Sequence, residues 1–156
     1  MIESIFRNYR INKTIKRVAS VGSNFNWFGS FSFVNPSGIE IGDNVNINDG
    51  VVVNATKSKV LIGNNVTISS NVQIIAASYD PVKFLNSGSD AKDHVYSEII
   101  IGDNVWICAG AIILPGVKIA DHVVIGAGSV VTKSIEEPWC IFAGNPAKLL
   151  RRIPHE

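Results

Sequence analysis

Aliphatic residues return at every sixth position over long stretches of this chain. They fall at Ile41, Ile47 and Val53, at Ile62, Ile68 and Ile74, and at Ile101, Ile107, Ile113, Ile119, Ile125 and Val131. A period of six matches neither the 3.6-residue period of an amphipathic helix nor the alternation of a hairpin sheet. It suits short strands separated by corners, with one aliphatic side chain stacked inward per strand. Corner-forming residues follow many ladder positions, as in Ile41-Gly42-Asp43-Asn44-Val45, Ile62-Gly63-Asn64-Asn65-Val66 and Ile101-Gly102-Asp103-Asn104-Val105. Gly and Asn tolerate the backbone angles that tight corners need. Three sides make one coil of about 18 residues, so Ile41 should stack under Ile62, Ile47 under Ile68 and Val53 under Ile74.

Two steps break the phase. Val53 to Ile62 takes nine residues, a three-residue corner insertion, and Ile74 to Ile101 takes 27, an excess of 21. The second predicts a loop at about Asp80 to Ser97 that leaves the prism and returns to it. A further series, Val45, Val51, Val66, Val72, Val105, Ala111, Val117, Val123 and Val130, recurs four or five places after ladder positions. Some of these are expected inward and others against neighbouring subunits, so self-association is expected.

The ends read differently. Ile2, Ile5, Phe6 and Tyr9 have helical spacing, and Ile15 with Val18 extend a second short helix after Asn12, giving a helical cap. Val21 to Ser37 is aromatic-rich, with Phe25, Trp27, Phe28, Phe31 and Phe33, and reads as an irregular first coil without hexad phase. In Asn145-Pro146-Ala147-Lys148-Leu149-Leu150 an N-cap residue precedes proline at a first helical position, which predicts a short C-terminal helix. The expected architecture is therefore one all-β domain over 1–156. It comprises a helical cap (1–20), a parallel β-helix (21–137) with an excursion at about 80–97, and a tail with its helix (138–156).

Composition narrows the function classes. The chain is 46% hydrophobic and 17% charged, with a net charge of +1, which argues against disorder and against a polyelectrolyte partner such as nucleic acid. The aromatics cluster at one end without interleaved basic residues. An anion site must come from local clustering, and the densest basic cluster is Lys148, Arg151 and Arg152. Cys108 and Cys140 have no metal-ligand spacing and read as reduced core thiols. The basic N-terminus offers no unbroken apolar run for a signal or a membrane span, so a cytoplasmic protein is expected.

Four blocks in order carry a specific likeness: Ile101-Gly102-Asp103-Asn104-Val105-Trp106-Ile107, Ile113-Leu114-Pro115-Gly116-Val117, Val124-Ile125-Gly126-Ala127-Gly128-Ser129-Val130-Val131-Thr132-Lys133, and Ala143-Gly144-Asn145-Pro146-Ala147-Lys148. On these, residues 39 to 153 resemble the hexapeptide-repeat acyltransferase family, in its sugar and polysaccharide acetyltransferase branch. The resemblance implies a left-handed β-helix, a homotrimer with active sites between subunits, and acetyl-CoA as cosubstrate with no metal. The pantetheine arm is then expected along the corners at Ala109, Gly110, Ala127 and Gly128. Gly144, Asn145, Pro146 and Lys148, with Arg151 and Lys133, are expected to meet the adenine or phosphates, since a helix start with cations suits phosphate. Trp106 is expected to line the acceptor site.

Acyl transfer to a hydroxyl needs a base, usually histidine. Of the three histidines, His122 lies in a coil corner and His155 is next to last and expected to be mobile. His94 lies in the excursion loop, where the family builds its acceptor pocket, and is the candidate base. Branch members usually carry their catalytic histidine before the loop, where this chain has Ser78-Tyr79-Asp80-Pro81, so Tyr79 occupies that position as a substrate-binding candidate. A phenol with a pKa of about 10 is a weak base. Three explanations stay open: His94 substitutes, Asp80 acts as base or as orienter of His94, or the acceptor is an amine needing little base help. The expected activity is O-acetylation of a sugar hydroxyl in surface polysaccharide or lipopolysaccharide assembly. N-acetylation of an amino sugar nucleotide and a non-catalytic β-helix scaffold are the alternatives. A zinc enzyme of the same fold would need three convergent histidines, which His94, His122 and His155 do not supply by spacing.

Overall fold

The computed structural model describes residues 2–87 and 93–155. The Ile2, Ile5 and Phe6 side chains and residues 88–92 of the expected loop lie outside the described residues. The chain begins with α1 (Ile2–Ile15) and then winds into coils. The first coil is β1 (Ser20–Val21), β2 (Asn26–Phe28) and β3 (Phe31–Val34), and the second is β4 (Ile39–Ile41), β5 (Asn46–Asn48) and β6 (Val51–Asn54). The third is β7 (Val60–Ile62), β8 (Thr67–Ile68) and β9 (Gln73–Ile75), followed by an excursion of β10 (Ala77–Tyr79), α2 (Pro81–Ser87) and β11 (His94–Tyr96). The fourth is β12 (Ile99–Ile101), β13 (Trp106–Ile107) and β14 (Ile112–Ile113), and the fifth is β15 (Lys118–Ile119), β16 (Val123–Ile125) and β17 (Val130–Val131). The chain ends with β18 (Cys140–Ala143) and β19 (Lys148–Arg152).

These strands stack into three sheets, parallel except for β19, that form the faces of a left-handed β-helical prism of about six turns. Face one is β1-β4-β7-β12-β15, face two is β2-β5-β8-β13-β16-β18-β19, and face three is β3-β6-β9-β14-β17. The ladders hold their register through both phase breaks. Ile41 pairs with Ile62, Ile62 with Ile101 and Ile101 with Ile119, and the equivalent pairings run Ile47-Ile68-Ile107-Ile125 and Val53-Ile74-Ile113-Val131. All twelve ladder residues are buried. In the second apolar series every residue but Val130 is also buried, so these side chains complete the core instead of facing neighbouring subunits.

The corner between faces one and two shows why the stack repeats. Asn24, Asn44, Asn65 and Asn104 all take left-handed φ values of 54 to 57°. Their amides form a ladder: Asn24 Nδ2 donates to Asn44 Oδ1 at 2.9 Å, Asn44 to Asn65 at 3.1 Å, and Asn65 to Asn104 at 3.2 Å. One residue earlier, carboxylate and amide oxygens accept backbone N–H groups from the adjacent coil. Ser23 donates to Asp43 at 2.6 Å, Asn64 to Asp103 at 2.7 Å and Asp103 to Asp121 at 2.7 Å. Gly63 is required by close approach, because a Cβ there would lie 2.7 Å from the Gly102 backbone.

Three expectations are corrected. The first coil is regular: Val21, Trp27 and Phe33 pair in register with Ile41, Ile47 and Val53. They are themselves six apart, and the phase is hidden because two ladder positions carry aromatic residues. The helical cap is one continuous helix through Asn12, and Val18 packs on the core beyond its end. The short C-terminal helix is absent. Lys148–Arg152 forms β19, antiparallel to β18, with Cys140 opposite Arg152 and Ala143 opposite Lys148. No further coil follows β18, so its outer edge would be left with unpaired N–H and C=O groups. A returning strand satisfies them and a helix would not.

Ile107 lies midway in its ladder with no exposed surface. Ile107→Ala should cost about 2 to 5 kcal/mol, read by thermal or denaturant unfolding. Hydrogen bonds from the Ser23 backbone N–H and hydroxyl hold the Asp43 carboxyl below its ordinary pKa. That contribution is present above the unfolded carboxylate value and lost as pH falls through the lower folded one. Asp43→Asn should therefore lower Tm near neutrality, with the gap to wild type closing below about pH 4.

Candidate active site

The excursion leaves at the edge between faces three and one and forms an antiparallel ribbon. Its register sets Ala77 opposite Tyr96, Ser78 opposite Val95 and Tyr79 opposite His94. Cross-strand partners share one face of a ribbon. The His94 imidazole accordingly lies against the Tyr79 ring, centroids 4.5 Å apart, and stacks at 8° on Tyr96 with centroids 5.7 Å apart. His94 is exposed and Tyr79 is 46% exposed, so the pair faces solvent. Asp80 turns elsewhere. Its Oδ1 accepts the N–H groups of Val82 at 2.9 Å and Lys83 at 3.1 Å, capping α2, and no hydrogen bond joins it to His94 among the described residues. The turn is closed by the Asp80 N–H to the Asp93 carbonyl at 2.9 Å and by the Lys83–Asp93 ion pair at 3.0 Å, which raises the Lys83 pKa.

A second group of candidates gathers at the edge between faces two and three. Ala109-Gly110 and Ala127-Gly128 are consecutive corners, joined by the Gly128 N–H donating to the Ala109 carbonyl at 2.9 Å. Gly110 and Gly128 have φ values of +70° and +65°, which favour glycine. Outward, the corner is bare: a Cβ on Gly128 would meet nothing within 4 Å. The Gly144-Asn145-Pro146-Ala147 turn closes over the same edge. Buried Ser129 accepts the Gly144 N–H at 3.0 Å, the Gly144 carbonyl accepts Val130 N–H at 3.0 Å, and Ala147 N–H donates to the Val130 carbonyl at 2.8 Å. Lys148 and Arg151 follow on β19, both exposed. Because that segment is a strand, the phosphate site expected at a helix start reduces to the turn's backbone and these cations. Lys133 lies after β17 on the corner between faces three and one, so it stands apart from this group.

Trp106, 51% exposed, stands on the outer side of face two, three residues before Ala109, and donates from Nε1 to Ser69 Oγ at 3.1 Å. It belongs with the small-residue edge, not with the ribbon. One face of the prism separates the two groups. A strand of five or six residues spans about 16 to 20 Å, so His94 and the Ala109–Gly128 corner stand at different edges of one chain.

Sequence reasoning missed several contacts. Tyr96 was not singled out because its stacking on His94 depends on the ribbon register. His155, expected to be mobile, stacks on Trp139, which is itself stacked on His122, with centroids 4.8 and 3.9 Å apart. Burial raises the pKa of both cysteines, and Cys108 is only partly buried. Among the described residues no three His, Cys, Asp or Glu side chains converge, and no helix is long and apolar enough to cross a membrane. A shallow groove over face one is lined by Glu40, Leu61 and Ile100.

Comparison with known proteins agrees with this architecture. Residues 98–133 match the model described as bacterial transferase hexapeptide (six repeats), and residues 27–55 match the hexapeptide repeat of succinyl-transferase. Galactoside O-acetyltransferase of Escherichia coli K12 is 35% identical over 158 residues, covering 95% of this chain and 74% of that protein. A maltose O-acetyltransferase from Clostridium difficile 630 superposes with a TM-score of 0.83 at 35% identity, covering 94% of this chain and 75% of that one. A Vibrio cholerae hexapeptide-repeat acetyltransferase in complex with acetyl coenzyme A superposes at 0.84 and 27% identity, covering 95% and 78%. The chain spans 45% to 60% of the length of several other curated relatives it matches. With two of these relatives at 35% identity over about three quarters of their length, the chain belongs to the hexapeptide-repeat sugar acetyltransferase family.

Proposed function

We propose that the protein is an acetyl-CoA-dependent O-acetyltransferase acting on a sugar hydroxyl, with His94 as the general base. The observation that carries this reading is the direct cross-strand pairing of His94 with Tyr79. It lets an imidazole arriving from β11 serve the position where related enzymes usually carry theirs on the preceding strand. His94 takes the acceptor hydroxyl proton as the oxygen attacks the thioester carbonyl carbon. The carbon–sulfur bond then breaks, and the proton passes to the departing thiolate. Asp80 serves this scheme by capping α2 and holding the ribbon turn, Tyr79 bounds the acceptor, and Asp80 is not the base.

The donor lies along Ala109, Gly110, Ala127 and Gly128, where nothing blocks close approach of a pantetheine arm to the backbone. Its phosphates or adenine meet the Gly144-Asn145-Pro146 turn, Lys148 and Arg151. Cys108 stands beside that corner, but burial raises its pKa, so little thiolate exists near neutrality and direct transfer is favoured over an acyl-cysteine intermediate. Because ribbon and donor corner occupy different edges, the ribbon of one protomer acts with the donor corner and Trp106 of another, in a cyclic homotrimer. The setting is surface polysaccharide or lipopolysaccharide assembly in the cytoplasm.

Calorimetric titration with acetyl-CoA should give saturable binding, weakened about tenfold or more by the Lys148→Ala, Arg151→Ala double variant through loss of two charge-assisted contacts. His94→Ala should retain that binding while kcat on a sugar acceptor falls about 10²- to 10⁴-fold. No binding at millimolar coenzyme would contradict the reading, as would wild-type turnover in His94→Ala. A preference for amino sugars in an acceptor panel would redirect it to N-acetylation.

A further inference from the structure

Between Val21 and Val131 every residue that the chain adds to its coils lies on the edge between faces three and one, and the middle addition touches both of the others. Phe33 to Ile41 takes eight residues, Val53 to Ile62 nine and Ile74 to Ile101 27, while each other ladder step from Val21 to Val131 takes six. The middle addition is firmly built. Asn54 Oδ1 accepts the N–H and hydroxyl of Thr56 at 3.0 and 2.6 Å, and the Ser58 N–H donates to the Ala55 carbonyl at 3.1 Å. From the adjacent coil, Asn35 Nδ2 donates to the same carbonyl at 2.8 Å. Gly38 packs so closely that a Cβ would lie 2.5 Å from the Ser58 carbonyl oxygen.

At the tip of this corner Lys57 takes a left-handed φ of 49° and is exposed. It makes no ion pair among the described residues. Its ammonium instead stands over the Tyr96 ring, 5.4 Å from the centroid. Tyr96 lies parallel to the His94 imidazole, and Tyr79 approaches that same imidazole. Lys57 and His94 are both at the surface, so the series Lys57–Tyr96–His94–Tyr79 does little for the core.

We infer that Lys57 and Tyr96 are positioning residues for His94. The corner insertion carries a cation to the ribbon, the cation holds the Tyr96 ring, and Tyr96 with Tyr79 fixes the plane of the imidazole. An exposed histidine otherwise samples several χ1 wells and a broad χ2, and few of these orientations present a ring nitrogen to an acceptor hydroxyl. This rests on the reading of His94 as the base.

The test is steady-state acetyl transfer by the full chain, with the NMR shift of the His94 Hε1 proton as a readout independent of turnover. Tyr96→Ala should lower kcat by about 10- to 100-fold and leave the KM for acetyl-CoA within about twofold, as expected for lost orientation rather than lost binding. Tyr96→Phe keeps the ring and should stay within about twofold of wild type. Lys57→Met should lose about three- to tenfold, and Lys57→Arg should recover it. The Hε1 resonance, shifted by the neighbouring rings, should move in Tyr96→Ala and hold in Tyr96→Phe. Wild-type kcat in Tyr96→Ala would overturn the proposal, as would an equal loss in Tyr96→Phe or an Hε1 shift indifferent to Tyr96. A wild type that turns over no acceptor would overturn the transferase reading and this proposal together, and it would be seen before any substitution is made.

Discussion

Each coil of this protein must return to the same inward register as the coil before it, because the ladder side chains are buried in continuous stacks from coil to coil. Slipping a strand by one residue would turn its aliphatic side chain out and a polar neighbour in. The constraint holds each face at its strand length and each corner at a fixed geometry. The Asn ladder at the first corner and the glycines at the second are consequences of it. Extra residues are tolerated only where the chain can leave the prism and rejoin in phase. Here that is a single edge, which carries a short corner after Phe33, the Lys57 corner and the excursion.

The chemistry follows from that segregation. The edge that accepts insertions can build a ribbon with a histidine on it, whereas the edge between faces two and three keeps bare glycine corners and the closing turn at Gly144. A rigid prism separates the two, so neither edge alone carries both the ribbon histidine and the glycine corners. On the function proposed above, the site is completed between copies, with the prism providing alignment and the inserted segments providing specificity.

Much of the fold was legible because stacking repeats its demand every six residues. The twelve ladder positions and the coil pairing could be read from aliphatic spacing alone, as could the presence of the excursion, although it leaves the prism at Ala77 and not at about Asp80. Trp27 and Phe33 kept the same phase unseen, since aromatic residues took aliphatic positions. The C-terminal strand was misread because Asn145-Pro146 carries a local helix-start pattern, while the deciding factor, an open edge on β18, is non-local. The corners at Ala109-Gly110 and Ala127-Gly128, whose glycines both take left-handed φ values, were legible as corners through their small residues. The surroundings of His94 were not, because the contacts of Tyr79, Tyr96 and Lys57 depend on ribbon register and on two insertions meeting in space. The capping of α2 by Asp80 was not legible either, because it depends on where the ribbon turn sets the helix start.

The central claim, that ribbon and donor corner act across copies, can be tested by mixing two inactive chains. Protomers carrying His94→Ala would be co-assembled with protomers in which Ala127→Trp fills the donor groove, and acetyl transfer of the mixed oligomer measured against each parent. In an equal mixture assembled at random into cyclic trimers, homotrimers included, about one quarter of all sites join an intact ribbon to an intact corner, so the total activity should recover to about 25% of wild type. No recovery in a verified mixed oligomer would contradict the account and return the whole site to a single chain.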